Sequence, residues 1–268
     1  MNNQEWLDFL RNLGRGLRVK LGGLAGTSEA KKQLGRGAGG DITVYIDKVA
    51  EDYIISRLEA GVSQGSGCTL ISEEAGQKKF GNENIYLLVD PIDGSLNAKR
   101  GIPLFSVSFA LLRGNKLENI EVGLVINLVT GQEFWAIKGE GSFLDGGRIN
   151  ISPPGHRELL NYELPQPKDN WRRLTPVFSH FDKVRNLGSL ALDLCFFAQG
   201  ACDAFIMPGP ARPLDFAAGL LLVQEAGGEV VEITGKTLES VPVTTPKVKG
   251  LIAGKNTQEV KQILNWMR

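Results

Sequence analysis

Leu87-Leu88-Val89-Asp90-Pro91-Ile92-Asp93-Gly94-Ser95-Leu96-Asn97 is the stretch on which the reading of this chain turns. The apolar run that ends at Val89 reads as a buried strand. It stops at Asp90, turns through Pro91 and Gly94, and supplies a second carboxylate (Asp93) and a hydroxyl (Ser95) within five residues of it. Two carboxylates fixed at a strand end, before a turn that can open a helix, suit an oxygen-liganded cation beside a phosphate. The same residues are also ordinary turn chemistry, since Asp-Pro and Asp-Gly pairs are frequent in tight turns. The flanking sequence has to choose between these readings.

Upstream, Thr69-Leu70-Ile71-Ser72 is a second strand-like run that stops at carboxylates, Glu73-Glu74. Further back, Ile46, Val49, Ala50, Tyr53, Ile54 and Leu58 have helical spacing, which puts Asp47 in a first helical turn, where a carboxylate complements the helix dipole. Trp6, Phe9, Leu10, Leu13, Leu17 and Leu21 mark an earlier amphipathic helix, weakened by Gly14 and Gly16. Between these helices, residues 22–40 read as a mobile loop ending near Asp41, another candidate carboxylate. Downstream, Phe105 to Leu112, Glu121 to Val129 and Glu133 to Ile137 read as strands, with Thr130-Gly131 as a hairpin turn. The first 150 residues therefore read as two helices followed by a largely antiparallel sheet.

The proline-rich segment 151–170 reads as a connection, with room for a short helix near Glu158. Beyond it, Leu174 to Ser179 reads as a strand, Ser189 to Ala198 as a buried helix and Ala204 to Met207 as a strand. Pro213 suits the first position of a helix that carries Asp215 in its first turn and stops at Gly227. Strands over Glu229 to Ile233 and Lys249 to Ala253, and a closing helix over Gln258 to Met267, complete an α/β second half.

Bulk composition narrows the chemistry. Lys+Arg and Asp+Glu are both 30, so a general nucleic-acid binder is disfavoured. No apolar run is long enough to span a bilayer, and the polar start Met1 to Asp8 does not read as a secretory signal. Three cysteines, Cys68, Cys195 and Cys202, read as reduced thiols of a cytoplasmic protein. Only two histidines are present, which disfavours a His-rich zinc site and leaves carboxylates as the metal ligands. Asp41, Asp47, Glu73, Asp90, Asp93 and Asp215 all fall at element ends. Hard cations bound by such groups activate water and neutralise a leaving alkoxide, so metal-dependent phosphoryl chemistry is the reading from the residues alone.

Asp90-Pro91-Ile92-Asp93-Gly94-Ser95 resembles the DP(I/L)DG(S/T) motif of the inositol monophosphatase superfamily, with Ser72-Glu73-Glu74 at that superfamily's upstream spacing. Leu214-Asp215-Phe216-Ala217-Ala218-Gly219 followed by Glu225-Ala226-Gly227-Gly228 is similar to its second signature, WDxAAG…EAGG. Asp41-Ile42-Thr43, Ile46-Asp47, Ala50-Glu51-Asp52, Asn97-Ala98 and Gly101-Ile102-Pro103 resemble the archaeal-type branch acting on both fructose 1,6-bisphosphate and inositol phosphates.

The resemblance implies a layered αβαβα sandwich, α+β in its first half and α/β in its second. Residues 1–150 would form an N-terminal subdomain with the metal motif. Residues 151–268 would complete the site, which lies between the two. It implies two or three Mg²⁺ per site, with Mn²⁺ as a substitute. Glu73, Asp90 and the Ile92 carbonyl would hold one ion; Asp90, Asp93 and Asp215 a second; Glu73 also a third. Ser95 paired with Asp47 would orient the attacking water, and the Gly94 and Ser95 N–H groups would receive the phosphate. Gly188-Ser189-Leu190 matches the segment beside the sugar or inositol ring, and Lys183, Arg185 and Arg212 are candidates for substrate phosphate. The partner is a small phosphate ester, handled by a homodimer without nucleic acid or membrane.

Three departures stand out. Leu214 replaces an aromatic. Met207-Pro208-Gly209-Pro210 stands where inositol phosphatases place a ring-contacting Glu. Leu190 replaces a smaller Ala. The second of these tilts the substrate away from myo-inositol phosphate, and Leu190 narrows the ring site. A 3′-phosphoadenosine phosphate phosphatase and a non-catalytic metal-binding homologue are the alternatives.

Overall fold

The alternation in Leu87-Leu88-Val89 sets the layering, because neighbouring strand residues face opposite sides of a sheet. Leu87 and Val89 enter one core with Trp6, Leu10 and Ile54, while Leu88 enters another with Leu194 and Phe216. A computed structural model describes residues 1–36, 42–61, 67–81, 84–151, 155–164 and 167–267.

The central element is an eight-stranded sheet. Its strands are β3 (Thr69–Ser72), β4 (Gly76–Lys79), β5 (Tyr86–Asp93), β6 (Ser106–Leu112), β7 (Ile120–Asn127), β8 (Glu133–Ile137), β9 (Gly141–Leu144) and β10 (Gly147–Ile149). They run in the order β10-β9-β8-β7-β6-β5-β3-β4. All neighbours are antiparallel except β3 and β5, which are parallel. Helices α1 (Asn3–Leu21) and α2 (Tyr45–Gly61) cover one face. A reciprocal cap starts α1, with Asn2 Oδ1 accepting from the Glu5 N–H at 2.9 Å and Glu5 Oε2 accepting from the Asn2 N–H at 2.8 Å. Gly14, which weakens the helix in sequence, is what lets α1 lie close on the sheet: a Cβ there would meet Ile126 Cδ1 at 2.6 Å.

Helices α5 (Leu190–Ala198) and α6 (Pro213–Glu225) lie on the other face. Both are apolar nearly all round because a second sheet covers them from behind. That sheet has five strands, β11 (Leu159–Tyr162), β12 (Lys183–Arg185), β13 (Ala204–Met207), β14 (Glu229–Glu232) and β15 (Leu251–Gly254), ordered β12-β11-β13-β15-β14. Its outer face packs Leu160, Ile206 and Ile252 against Leu174 and Val177 of α4 (Pro167–Phe178) and Val260 and Ile263 of α7 (Thr257–Trp266). Helix layer, sheet, helix layer, sheet, helix layer is the αβαβα sandwich the signatures imply.

Three local readings are corrected. Leu174 to Ser179 is the end of helix α4, not a strand. Leu174 and Val177, three apart, are its buried positions, and Pro176 is tolerated on the exposed side. Glu158 does not sit in a helix. Asp203 Oδ2 accepts from the Glu158 and Leu159 N–H groups at 2.8 and 2.9 Å and feeds the chain into β11. The 22–40 segment is not all loop, because β1 (Gln33–Arg36) pairs antiparallel with β2 (Ile42–Val44). Asp41 lies outside the described residues.

Candidate active site

Parallel pairing brings the first carboxylates together. Ser72, the last residue of β3, pairs with Val89 of β5, so the next residues, Glu73 and Asp90, come side by side. The β5–β6 register then breaks between Asp90 and Asp93, and Asp90 Oδ1 accepts from the Ile92 N–H at 3.1 Å. This local turn swings Asp93 onto the same wall. Gly94 follows with φ +86°, and a Cβ there would stand 2.8 Å from the Gly188 carbonyl oxygen. Only glycine serves at this close approach between the two halves of the chain. Helix α3 (Ser95–Arg100) begins next. Asn97 ties the walls by donating to the Leu104 and Leu187 carbonyls, both at 2.8 Å.

The opposite wall comes from the second sheet and α6. Pro213 starts α6 and Asp215 is its third residue, where Oδ2 accepts from the Arg212 N–H at 3.0 Å. Glu73, Asp90, Ile92, Asp93, Gly94, Ser95, Glu163, Leu164, Gly188, Leu190, Met207, Arg212 and Asp215 enclose a cavity of about 280 Å³.

Its electrostatics are dominated by buried carboxylates. Burial pushes Asp90 well above the usual carboxylate range, and the charges of Glu73, Asp93 and Asp215 push the same way against Arg212. Burial raises Asp93 to about 6, restrained by the Ser189 and Ser106 hydroxyls and the Ala191 N–H. Burial also raises Asp215, with Arg212 opposing. Asp47 is raised to about 6 by burial; Lys99 opposes, while Glu73 and Glu74 add to the rise. One guanidinium thus faces five carboxylates, Glu73, Asp90, Asp93, Glu163 and Asp215. Crowded, desolvated oxygen donors of this kind suit a hard divalent cation, which removes the penalty of burying like charges. Among the described residues, however, no three His, Cys, Asp or Glu side chains already stand drawn in as a ligand set.

The sequence pattern of the Inositol monophosphatase family matches residues 3–265. The chain belongs to the inositol monophosphatase family. It is 33% identical over 265 residues to a fructose-1,6-bisphosphatase/inositol-1-monophosphatase of Thermococcus kodakarensis, covering 98% of this chain and 97% of that protein. It is 32% identical over 253 residues to a bifunctional NADP phosphatase/NAD kinase of Methanococcus maripaludis, covering 87% of this chain and 44% of the longer protein. A solved structure from Pyrococcus horikoshii, described as a hypothetical protein with similarities for inositol-1 monophosphatase, superposes with a TM-score of 0.83 at 27% identity, covering 100% of both chains. As a member of this family of phosphatases the chain is a hydrolase of phosphoric monoesters.

Of the residues the family signatures single out, Glu73, Asp90, Ile92, Asp93, Gly94, Ser95, Gly188, Arg212 and Asp215 line the cavity together. Asp47 is buried in the first turn of α2, outside the lining, and its Oδ1 has no hydrogen-bond partner. No hydrogen bond joins it to the Ser95 hydroxyl among the described residues. Ser189 is buried and its hydroxyl donates to Asp93 Oδ2, so it braces a carboxylate instead of facing the cavity. Lys183 and Arg185 are exposed on strand β12 and do not line the cavity; Arg185 Nη1 donates to the Val184 carbonyl at 2.8 Å.

Glu163 is the lining residue the sequence reading missed. It follows β11 as Glu73 follows β3, and Oε1 accepts from the Gly188 N–H at 2.8 Å. Burial, and then the Asp93 charge, raises it to about 7. The strand-end rule that found Glu73 would have found it, had the segment near Glu158 been read as extended.

Proposed function

We propose that this chain is a Mg²⁺-dependent phosphatase that hydrolyses sugar or inositol phosphate monoesters, with fructose 1,6-bisphosphate and inositol 1-phosphate as the first candidates. The observation that carries this is the convergence of Glu73, Asp90, Asp93 and Asp215, from separate segments of the chain, on one cavity beside the Gly94-Ser95 turn. Glu73, Asp90, the Ile92 carbonyl, Asp93 and Asp215 would hold two or three Mg²⁺, or Mn²⁺ in its place. When bound, such ions lower the pKa of water and stabilise charge on the leaving oxygen. The rest belongs to the chain. Asp47, buried and short of a partner on Oδ1, and Ser95 orient the attacking water. Backbone N–H groups of Gly94 and Ser95 take the phosphate oxygens. Asn97, Ser106 and Ser189 keep those pieces in register.

The sugar or inositol body meets Leu164, Gly188, Leu190 and Met207, with Glu163 as the carboxylate within reach of its hydroxyls. Met207 in place of a carboxylate favours fructose 1,6-bisphosphate over myo-inositol phosphate. We place the enzyme in the cytoplasm as a homodimer, a reading supported by three buried free thiols for the compartment and by the resemblance alone for the dimer.

The test is phosphate release from a panel of fructose 1,6-bisphosphate, inositol 1-phosphate, NADP and adenosine 3′,5′-bisphosphate, with Mg²⁺ and after chelation. Chelator-sensitive release that is fastest on fructose 1,6-bisphosphate supports the proposal. Release confined to the two nucleotides overturns its substrate half. Release that is indifferent to chelation overturns its metal half.

A further inference from the structure

Arg212 makes more contacts in the cavity than a substrate-binding cation needs. Its Nη1 lies 2.9 Å from Glu73 Oε1, its Nη2 2.9 Å from Asp215 Oδ1, and its Nε 3.1 Å from each Asp215 oxygen. The fork thus bridges the two walls of the site. With the Arg212 N–H also on Oδ2, Asp215 directs both oxygens at a single residue. Glu73 and Asp215 are two of the carboxylates assigned above to the ions. The guanidinium is only 20% exposed; burial works against its charge, but the Asp215 and Glu73 carboxylates outweigh that and drive its pKa upward, so it stays a cation throughout.

We propose that Arg212 is a tethered counter-ion that holds the cation position in the metal-free protein and must give up Glu73 and Asp215 for a divalent ion to enter. The proposal rests on the metal-dependent reading of the site and deepens it. The absence of a drawn-in set of three ligands among the described residues follows from it, because two of the carboxylates are engaged by the fork. A guanidinium and a divalent ion compete for these carboxylates, since both draw on the same negative charge and the two cations repel each other. Ion entry and release of the fork are therefore one event. The released fork stays on the cavity wall through its own backbone, where an anionic group of the substrate can take it up. Linkage then makes metal and phosphate mutually reinforcing, each removing a competitor of the other.

Ion affinity reads this directly, without turnover. Mg²⁺ and Mn²⁺ binding to the full chain is measured by calorimetry for the unaltered protein, Arg212→Met and Arg212→Lys, with and without inorganic phosphate. In the absence of phosphate, Arg212→Met should bind Mn²⁺ about tenfold or more tighter than the unaltered protein, with Arg212→Lys between them. Phosphate should tighten Mn²⁺ binding to the unaltered protein several-fold more than it tightens binding to Arg212→Met, where only the direct attraction between phosphate and ion is left. Equal or weaker binding by Arg212→Met would make the fork a fixed support and overturn the proposal while leaving the metal reading intact. Failure of every form to bind either ion would overturn the metal reading itself. If Arg212→Met does not fold, Arg212→Lys decides: it must bind Mn²⁺ more tightly than the unaltered protein, and equal or weaker binding overturns the proposal.

Discussion

Asp93 and Asp215, on opposite walls of the cavity, are stabilised by different means. On the β3–β5 wall, Asp93 is held by neutral donors: the Ser106 hydroxyl at 3.0 Å, the Ala191 N–H at 3.2 Å and the Ser189 hydroxyl. On the other wall, Asp215 is held by a full positive charge, Arg212, and Glu163 lies against a second acid, Asp193. Neutral donors fix a carboxylate's position without cancelling its charge. A counter-ion or a shared proton cancels charge and can be exchanged. The first wall keeps its geometry and the second changes its charge state.

Breaking the first wall should have the largest effect. Asp93→Asn keeps the shape and one acceptor for Ser106 while removing the charge. Phosphate release should fall on the order of 10³-fold with the circular-dichroism spectrum unchanged. Activity within tenfold of the unaltered enzyme would erase the distinction between the walls. Ser189→Ala removes one neutral brace and leaves the carboxylate, so a smaller loss of about 10- to 100-fold is expected, typical of groups that orient a ligand from behind.

A pH experiment sharpens the second wall. Glu163 is raised to about 7 by burial, and Asp193 is raised well above the ordinary carboxylate range by burial and by the Glu163 charge. The folded protein therefore holds protons that the unfolded chain has already released. Stability from these groups is full below the ordinary carboxylate range and is lost as pH rises through their folded values. In metal-free buffer, Tm should fall between about pH 5 and about pH 8, a change on the order of 2 kcal/mol. Asp193→Asn should flatten that slope; parallel curves would show that the acid pair does not set it.

The smallest effect is expected at Lys183 and Arg185. Since neither lines the cavity, Lys183→Ala and Arg185→Ala should each change kcat/KM for fructose 1,6-bisphosphate by less than about threefold. A tenfold rise in KM would return them to the substrate site.

Of the carboxylates that line the cavity, Glu73, Asp90, Asp93 and Asp215 were legible because each lies near the end of a strand or opens a helix, a position that local patterning reveals. Asp90, Asp93 and Asp215 needed nothing beyond that, and the family signatures gathered them. The layering came from the family resemblance; among the residues themselves, the apolar run 189–198 pointed to a helix buried on all sides. What was hidden depends on pairing between distant segments. That β3 and β5 run parallel, so that Glu73 stands beside Asp90, is written in neither strand alone. Glu163 was missed because the strand before it is short and is held extended by Asp203, over forty residues away. Leu174 to Ser179 misled because Thr175, Val177 and Phe178 each favour strands, while the buried positions, Leu174 and Val177, are spaced three apart as on a helix.

The margins of the two sheets carry a consequence of their own. The outermost strands are β4, β10, β12 and β14, none longer than four residues, and each bears charge: Lys78 and Lys79, Arg148, Lys183 and Arg185, Glu229 and Glu232. Short, charged margins discourage a foreign strand from extending the ladder. For Lys183 and Arg185 this supplies an occupation unrelated to turnover. Replacing both with Val should leave hydrolysis near its starting rate while making the protein self-associate through β12 on concentration.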